Sequence, residues 1–316
     1  MEKQWNMEVP ADMADASEFA SAVETSGARP TVKDFVQLAK PGILISNMIT
    51  AFGGFWLAAK GNVEWMLLLW MSLGTILVMA SGCVLNNYLD RDMDSKMSRT
   101  RNRITAKGNV SPKAVLIYGL TLGVAGLSIL GLLVNPLTAL LGITGLFVYV
   151  WVYTAWLKRT SVWSTMVGGV SGAMPPVIGY CAVTNTMDMG ALILFLILFL
   201  WQPPHFWALG IRRKEEYREA GFPLLPVVRG NYVTKMAMVR YIVMLVPVSL
   251  LLYLYGYAGI YYLIASAIMG LGWLYMCLRG FKPGNDEVLW ARRMFVYSIN
   301  YLTLMFLVMV LDTVKL

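Results

Sequence analysis

Three oxygen-bearing side chains, Asn86, Asp90 and Asp94, recur at intervals of four residues where a long apolar run ends. No Gly or Pro interrupts residues 83–107, so the helix of this apolar run can continue past the membrane. On a helix of 3.6 residues per turn, the three side chains form a single stripe. Mg²⁺ prefers one or two carboxylates, with water and substrate phosphates as its other ligands. The stripe therefore predicts a site for Mg²⁺ and a phosphate group.

A basic stripe follows the acidic one, where Arg99, Arg103 and Lys107 repeat the four-residue spacing. Guanidinium groups bind phosphate oxygens in pairs, so acidic and basic stripes together suit a diphosphate. Two simpler interpretations exist. The carboxylates could belong to a solvated helix face, and the basic residues could anchor the chain to anionic lipid. Lipid anchoring alone does not explain the preceding acidic stripe.

The only histidine of the chain, His205, lies in the segment Trp201-Gln-Pro-Pro-His-Phe-Trp207 near the end of another apolar run. Trp201 and Trp207 could form the wall of a pocket for a large planar ligand. An imidazole there could ligate iron or transfer a proton. The alternative is a hydrogen-bonded histidine that only contributes to packing.

A second charged segment, residues 211–230, follows that histidine. Glu215 and Glu216 could approach the first metal site. The residues of this segment that could bind phosphate or substrate are Arg212, Lys214, Tyr217 and Arg229. The alternative is a solvated charged loop, and the segment by itself does not decide between the two.

The elements that must position these residues are membrane helices, because the chain is 58% hydrophobic and only 14% charged. A soluble domain of 316 residues would need more charge. Apolar stretches of about 20 residues, the length that crosses a bilayer, recur from Pro41 onward. Nine spans are predicted, at 41–59, 65–87, 113–134, 136–157, 162–183, 189–210, 237–256, 258–278 and 293–312.

The basic residues are distributed on one side of these spans. All of the 26 Lys and Arg residues except Lys60 and Lys315 fall on the face that holds the two charged segments. The positive-inside rule makes that face cytoplasmic, with the N-terminus inside and the C-terminus outside. A bacterial inner membrane is the simplest location. This distribution indicates contact with a lipid bilayer and not with nucleic acid, despite the pI near 9.3.

Two further expectations concern organisation. Residues 1–34 are predicted to be a disordered cytoplasmic tail, and residues 35–316 one transmembrane domain. The three cysteines, Cys83, Cys181 and Cys277, lie far apart in apolar runs, so they are predicted to be unpaired packing residues.

Two stretches resemble the intramembrane aromatic prenyltransferase superfamily and, within it, the protoheme IX farnesyltransferases. The first, Asn86 to Asp94 with the arginines up to Arg103, has the superfamily pattern NxxxDxxxD. The second combines PPHFWAL, which contains His205, with KxxYxxAG from Lys214 onward, and it is typical of the haem-using branch. The resemblance extends over nearly all of the chain after Lys40. It departs from the superfamily in the second loop, where Glu residues replace an expected DxxxD motif.

This resemblance implies an all-α bundle of nine transmembrane helices around a central cavity that opens to the cytoplasm. Farnesyl diphosphate would bind through Mg²⁺ at Asn86, Asp90 and Asp94, and haem B would enter the same cavity as a substrate, not a cofactor. A haem vinyl group would receive the farnesyl group, with addition of water, to give a product similar to haem O. His205 would contact the iron or a propionate, or would transfer the proton from water. The resemblance leaves open a haem A synthase or a terminal oxidase assembly as protein partner.

The rival functions use the same features differently. A prenyltransferase for another aromatic acceptor, such as 4-hydroxybenzoate, would share the acidic stripe but would not account for His205 in its PPHFW segment. A transporter or channel would suit nine spans. However, transporter sites usually lie near the middle of the bilayer, whereas the polar residues here gather at one membrane border.

Overall fold

The computed structural model describes residues 31–98, 100–108, 110–284 and 286–315. Most of the predicted tail, residues 1–30, and Arg99 of the predicted basic stripe lie outside these residues. The last residues assigned to the tail enter a short helix, Val32–Leu38. Thr31 and Asp34 start this helix by forming a reciprocal capping box, in which each side chain bonds the other residue's backbone N–H.

Nine helices in the described ranges are long and apolar enough to cross a membrane, which confirms the predicted all-α, multi-pass fold. They are named spans 1 to 9 here: Pro41–Ala59, Trp65–Asp94, Pro112–Val134, Pro136–Thr160, Ser164–Thr184, Met189–Arg212, Gly230–Leu254, Ile260–Arg279 and Glu287–Leu311. Spans 7 and 9 begin about two turns earlier than predicted. Their extra turns hold Lys235 and Glu287, whose side chains form an ion pair of 2.5 Å between the two spans.

Three spans depart from a regular α-helix. Span 3 ends in a π-helical turn at Leu130–Val134, and span 4 is π-helical over Val148–Leu157. Span 5 is divided at Ala173 because the next turn contains Pro175 and Pro176, which have no N–H to donate. Two short helices, Lys214–Glu219 and Leu225–Val228, connect spans 6 and 7.

The helix continues past the predicted end of the span at residue 87, as the sequence indicates, but it ends at Asp94 and does not reach the basic residues that follow. The Thr100 hydroxyl donates to the Asp94 carbonyl at 2.8 Å, which satisfies a helix-end acceptor without further helix. Met97 is buried against Ala220 and Phe222 of the loop after span 6. The chain therefore turns back at the membrane border, and the basic residues do not continue the acidic stripe along one helix.

Span 6 lies at the centre of the bundle and packs against spans 5, 7 and 9, while span 1 packs against span 5 and span 2 against span 3. Lys60 and Lys315, the two lysines outside the basic face, lie at the same end of the bundle. A Cβ added to Gly61, the neighbour of Lys60, would lie 3.6 Å from Lys315 Cγ. The three cysteines are buried and free, as predicted. This arrangement places the ends of spans 2, 4 and 6 and the start of span 1 at the opposite end.

The crossing of spans 1 and 5 generates a stability prediction. A Cβ on Gly54 would lie 2.0 Å from the Pro176 carbonyl oxygen, so Gly54→Ala must push two backbones apart. We expect a loss of about 1–3 kcal/mol in the free energy of unfolding, seen as a lower melting temperature in detergent. Gly42→Ala in the same span is the control, because its Cβ would contact nothing within 4 Å. Equal melting of the two variants would contradict the close crossing.

Candidate active site

The predicted stripe of Asn86, Asp90 and Asp94 is formed and is turned into the protein. The three residues are only 3%, 1% and 5% exposed. Asn86 Nδ2 donates to Asp90 Oδ2 at 2.9 Å and to Thr154 Oγ1 at 3.1 Å. Thr154 lies on the π-helical part of span 4, a feature that is frequent at functional sites. Two carboxylates are therefore held at the membrane border without exposure to water.

Basic side chains from three separate segments converge on this stripe. Lys40 Nζ, at the start of span 1, donates to Asn86 Oδ1 at 2.6 Å. Arg103 Nη1, from the turns after span 2, pairs with Asp94 Oδ2 at 2.6 Å. Lys158 Nζ, at the end of span 4, pairs with Asp90 Oδ2. The two carboxylates are thus surrounded by more positive charge than they neutralise.

A fourth cation, Arg159, extends this positive region toward the surface. Its Nη2 lies 3.7 Å from Asp90 Oδ1, and its guanidinium bonds both carboxylate oxygens of Asp92 at 3.1 Å. Of the four cations, only Arg103 was predicted from the sequence. The others were counted as positive-inside charges, because nothing in their local sequence indicates which span ends meet.

Lys40 is held in an unfavourable state at this site. Its backbone is left-handed, with φ of 55°, a conformation that a non-Gly residue adopts at a cost of about 1 kcal/mol. Burial lowers the pKa of Lys40 to about 8, and the positive charges of Arg103 and Lys158 act in the same direction. An anion bound beside Lys40 would offset the cost of burying its positive charge, so the surroundings of the stripe favour an anionic ligand.

The donors of the stripe fit a hard cation that shares its ligands with phosphate. Asp90 Oδ1 is buried and has no hydrogen-bond partner in the described part of the chain, so this oxygen is available. No cluster of three or more His, Cys, Asp or Glu side chains that could hold a metal occurs among those residues. A cation here would rely on oxygens from phosphate and water, as Mg²⁺ commonly does. Asn86 presents its amide nitrogen to Asp90, so its amide would have to rotate to act as a ligand.

The second charged loop packs on the first, but its acidic residues pair locally. Glu216 accepts from Arg213 Nη1 at 3.0 and 3.1 Å, and Glu215 pairs with Arg218. The ring of Tyr217 packs against Phe222, with centroids 6.2 Å apart. Phe222 also lies under Lys158, whose Nζ is 4.9 Å from the ring centroid. Phe222 therefore contacts the site from this loop, whereas Glu215 and Glu216 pair within the loop.

The other predicted ligands of the charged segments lie further out. Lys107, Arg212 and Arg229 are exposed, and Lys214 is half-buried. None of these four side chains has a hydrogen bond or ion pair within the residues that the structure describes. Their predicted roles in binding phosphate stay predictions.

His205 lies between two aromatic rings near the end of span 6. Its ring stacks on Trp201 and on Phe295 of span 9, with centroids 4.5 Å apart in both cases. Its Nδ1 is 2.7 Å from Ser298 Oγ, also on span 9. Trp207, predicted to line the same pocket, instead packs edge-on against Tyr241 of span 7. Phe295 and Ser298 were not predicted as neighbours of His205, because the sequence around them is that of an ordinary apolar helix.

Two open cavities lie elsewhere, at the ends of spans 7 to 9. One of about 510 Å³ is lined by Tyr232, Lys235 and Glu287, among others. The other, of about 320 Å³, lies between spans 8 and 9 beside Arg292 and Arg293. Neither is lined by the acidic stripe or by His205. The central cavity implied by the resemblance stays a prediction.

The chain is similar in sequence to known bacterial proteins. The chain is 52% identical over 295 residues to protoheme IX farnesyltransferase 1 of Bacillus subtilis (strain 168), covering 90% of this chain and 92% of that protein. It is 49% identical over 280 residues to protoheme IX farnesyltransferase of Klebsiella pneumoniae, covering 89% and 95%.

Solved structures share the fold at low sequence identity. A digeranylgeranylglyceryl phosphate synthase superposes with a TM-score of 0.77 at 19% identity, covering 90% of this chain and 99% of that one. A UbiA homolog from Archaeoglobus fulgidus bound to GPP and Mg²⁺ gives a TM-score of 0.65 at 13% identity, covering 87% and 99%. Residues 47–299 match the model of the UbiA prenyltransferase family. The chain therefore belongs to the UbiA prenyltransferase family.

Proposed function

We propose that this chain transfers the farnesyl group of farnesyl diphosphate to a vinyl group of haem B, with addition of water, to make haem O. The observation that carries the proposal is the buried pair Asp90 and Asp94, surrounded by cations from three segments. Such a site suits an anion bound together with a divalent cation. The two bacterial relatives described above are protoheme IX farnesyltransferases, which supports haem B as the acceptor.

Asp90 and Asp94 would hold Mg²⁺, with Asn86 as a third oxygen donor. The chemistry that Mg²⁺ supplies when bound is neutralisation of the diphosphate, which makes it a better leaving group. Asp90 Oδ1 fits this role because it is buried and has no hydrogen-bond partner among the described residues. The structure of the Archaeoglobus homolog contains both a prenyl diphosphate and Mg²⁺, which supports the same pairing of ligands here.

The basic side chains would bind the diphosphate itself. Lys40, Arg103 and Lys158 already point into the site, where each is paired with a residue of the acidic stripe. When the carboxylates bind a metal, these cations can donate to diphosphate oxygens instead. Charge-assisted hydrogen bonds of this kind stabilise the negative charge that grows as the C–O bond breaks. The further phosphate and substrate contacts predicted from the sequence are Arg99, Lys107, Arg212, Lys214, Glu216 and Tyr217.

The transfer itself would take place among apolar side chains. The allylic C–O bond breaks, and both its electrons leave with the diphosphate. Exclusion of water protects the farnesyl cation until the haem vinyl group forms the new C–C bond. Water then captures the resulting cation and loses a proton. Trp201 would contribute to the apolar wall beside His205, which would contact the haem. A substrate contact by Trp207, which packs against Tyr241, stays a prediction.

The orientation in the membrane is part of the proposal. We place the acidic stripe at the cytoplasmic face of a bacterial inner membrane, with the N-terminus inside and the C-terminus outside, because nearly all basic residues lie at that face. Haem B would then be taken from the cytoplasmic side. A haem A synthase or a terminal oxidase assembly would be the next protein to accept haem O.

The first test removes the proposed metal ligand. Asp90→Asn keeps the size of the side chain but removes its charge, so we expect farnesyl transfer to fall by about a thousandfold or more. The assay uses purified protein with labelled farnesyl diphosphate, Mg²⁺ and haem B. Asp92→Asn is the matched control, because Asp92 is exposed and pairs only with Arg159 among the described residues. Normal turnover by Asp90→Asn would contradict the proposed Mg²⁺ site. Chelation of Mg²⁺ should lower the turnover of the unmodified protein in the same way as the variant.

A second test concerns Lys40, which was not predicted from the sequence to be a site residue. Lys40→Met should raise the KM for farnesyl diphosphate by about tenfold to a hundredfold, the effect of losing one charge-assisted hydrogen bond of about 1.5–3 kcal/mol. Lys33→Met, which changes an exposed lysine in the same segment, should leave KM unchanged. Equal KM values in the two variants would mean that Lys40 does not contact the diphosphate.

A third test separates the acceptors. In membranes that contain His205→Ala, we expect haem B to persist and haem O to be absent by extraction and chromatography. The same purified protein should be offered 4-hydroxybenzoate in place of haem B. Abundant haem O from the variant would make His205 a packing residue, and prenylation of 4-hydroxybenzoate alone would replace the proposed acceptor.

A further inference from the structure

Ser298 on span 9 contacts both rings that form the aromatic cluster on span 6. Its hydroxyl oxygen lies 2.7 Å from His205 Nδ1, and its carbonyl oxygen accepts from Trp201 Nε1 at 2.8 Å. Ser298 is fully buried, and it lies 93 residues from His205 in the sequence. One residue of span 9 thus fixes the orientation of two aromatic side chains of span 6.

The position of the single hydroxyl proton determines the protonation of the imidazole. Ser298 Oγ is 2.6 Å from the Phe295 carbonyl oxygen, and a carbonyl has no proton to give. The hydroxyl proton must therefore lie between these two oxygens. Ser298 Oγ can then only accept from His205, so the imidazole proton is on Nδ1. A neutral imidazole with its proton on Nδ1 has an unprotonated Nε2 with a free lone pair.

The surroundings leave only the edge of the imidazole available. Trp201 and Phe295 stack on its two faces at interplanar angles of 20° and 26°. Phe206 meets it edge-on, with centroids 5.0 Å apart. A planar ligand therefore cannot stack on His205. Within the described residues, Nε2 has no hydrogen-bond partner, so a ligand would meet His205 at this nitrogen.

We propose that Ser298 is a positioning residue, which holds His205 with its proton on Nδ1 so that Nε2 is an axial ligand for the iron of haem B. This inference rests on the proposed function, because it takes haem B as the acceptor. An unprotonated nitrogen suits a metal ion and cannot donate a hydrogen bond to a propionate. A hydrogen bond from Nδ1 to a fixed acceptor is also the usual way in which proteins orient a histidine ligand.

The first experiment reads the proton directly and needs no activity. Because His205 is the only histidine, protein made with ¹⁵N-labelled histidine and a histidine-free affinity tag gives one pair of ring nitrogen signals. We expect Nδ1 to show the chemical shift of a nitrogen that bears a proton and Nε2 that of a bare nitrogen. A proton on Nε2 in the unmodified protein would overturn the proposal.

Variants then test whether Ser298 is the cause. Ser298→Ala should give a mixture of the two tautomers, while Ser298→Thr, which keeps the hydroxyl, should restore the Nδ1 form. Ser266→Ala is the matched control, since Ser266 is equally buried and bonds the carbonyl three residues earlier but contacts no ring nitrogen. An unchanged tautomer in Ser298→Ala would show that Ser298 does not set the proton position.

Haem binding tests the ligand role apart from catalysis. Titration of haem B into the purified protein should give the Soret band of a nitrogen-ligated haem, and His205→Ala should lose it. Ser298→Ala should weaken haem binding by about tenfold to a hundredfold, as loss of a ligand's hydrogen-bond partner commonly does, and Ser266→Ala should not. A nitrogen-ligated haem in His205→Ala would refute the iron assignment. If the spectra behave as expected while no haem O is made, only the proposed reaction fails.

Discussion

The structure depends above all on the charge balance around two carboxylates that have been taken out of water. Burial of Asp90 and Asp94 would be strongly unfavourable without partners, because a buried unpaired charge costs several kcal/mol. Arg103 and Lys158 provide those partners, while Lys40 adds a third positive charge through its bond to Asn86, and each of the three comes from a different segment. The acidic stripe therefore ties together the starts and ends of spans that are distant in sequence. The same balance explains why a ligand could bind there, since diphosphate and Mg²⁺ can replace these ion pairs with others of similar strength.

The second organising feature is the pairing of span 6 with span 9. Span 6 is central, and the two faces of the His205 ring are covered by Trp201 of its own span and by Phe295 of span 9. Met97 and Phe222 join the loops that follow spans 2 and 6. Phe222 also contacts Lys158, so the loop that begins near the histidine reaches the cations of the acidic stripe. The two groups of site residues are thus connected through packed side chains and not through the acidic residues Glu215 and Glu216.

Much of this could be predicted from the sequence, because membrane helices and stripes along them depend on local patterns. The nine spans and the inward stripe of Asn86, Asp90 and Asp94 follow from hydropathy and from the helical period. The path after Asp94 could not be predicted in this way. It depends on contacts between loops, which override the absence of Gly and Pro through residue 107. Lys40 and Ser298 were missed for the same reason, since their neighbours in the site come from spans that are adjacent only in the folded bundle.

The π-helical segment Val148–Leu157 determines which side chains of span 4 face the acidic stripe. A π-helix holds more residues per turn than an α-helix, so it changes the direction in which every later side chain of the span points. Thr154 and Lys158 come within or just after this segment, and both meet the acidic stripe. If one residue were removed between Val148 and Thr154, both would rotate by about 100° away from span 2. The number of residues in this segment is therefore as restrictive as their identity, and an insertion or deletion would harm the enzyme more than most substitutions.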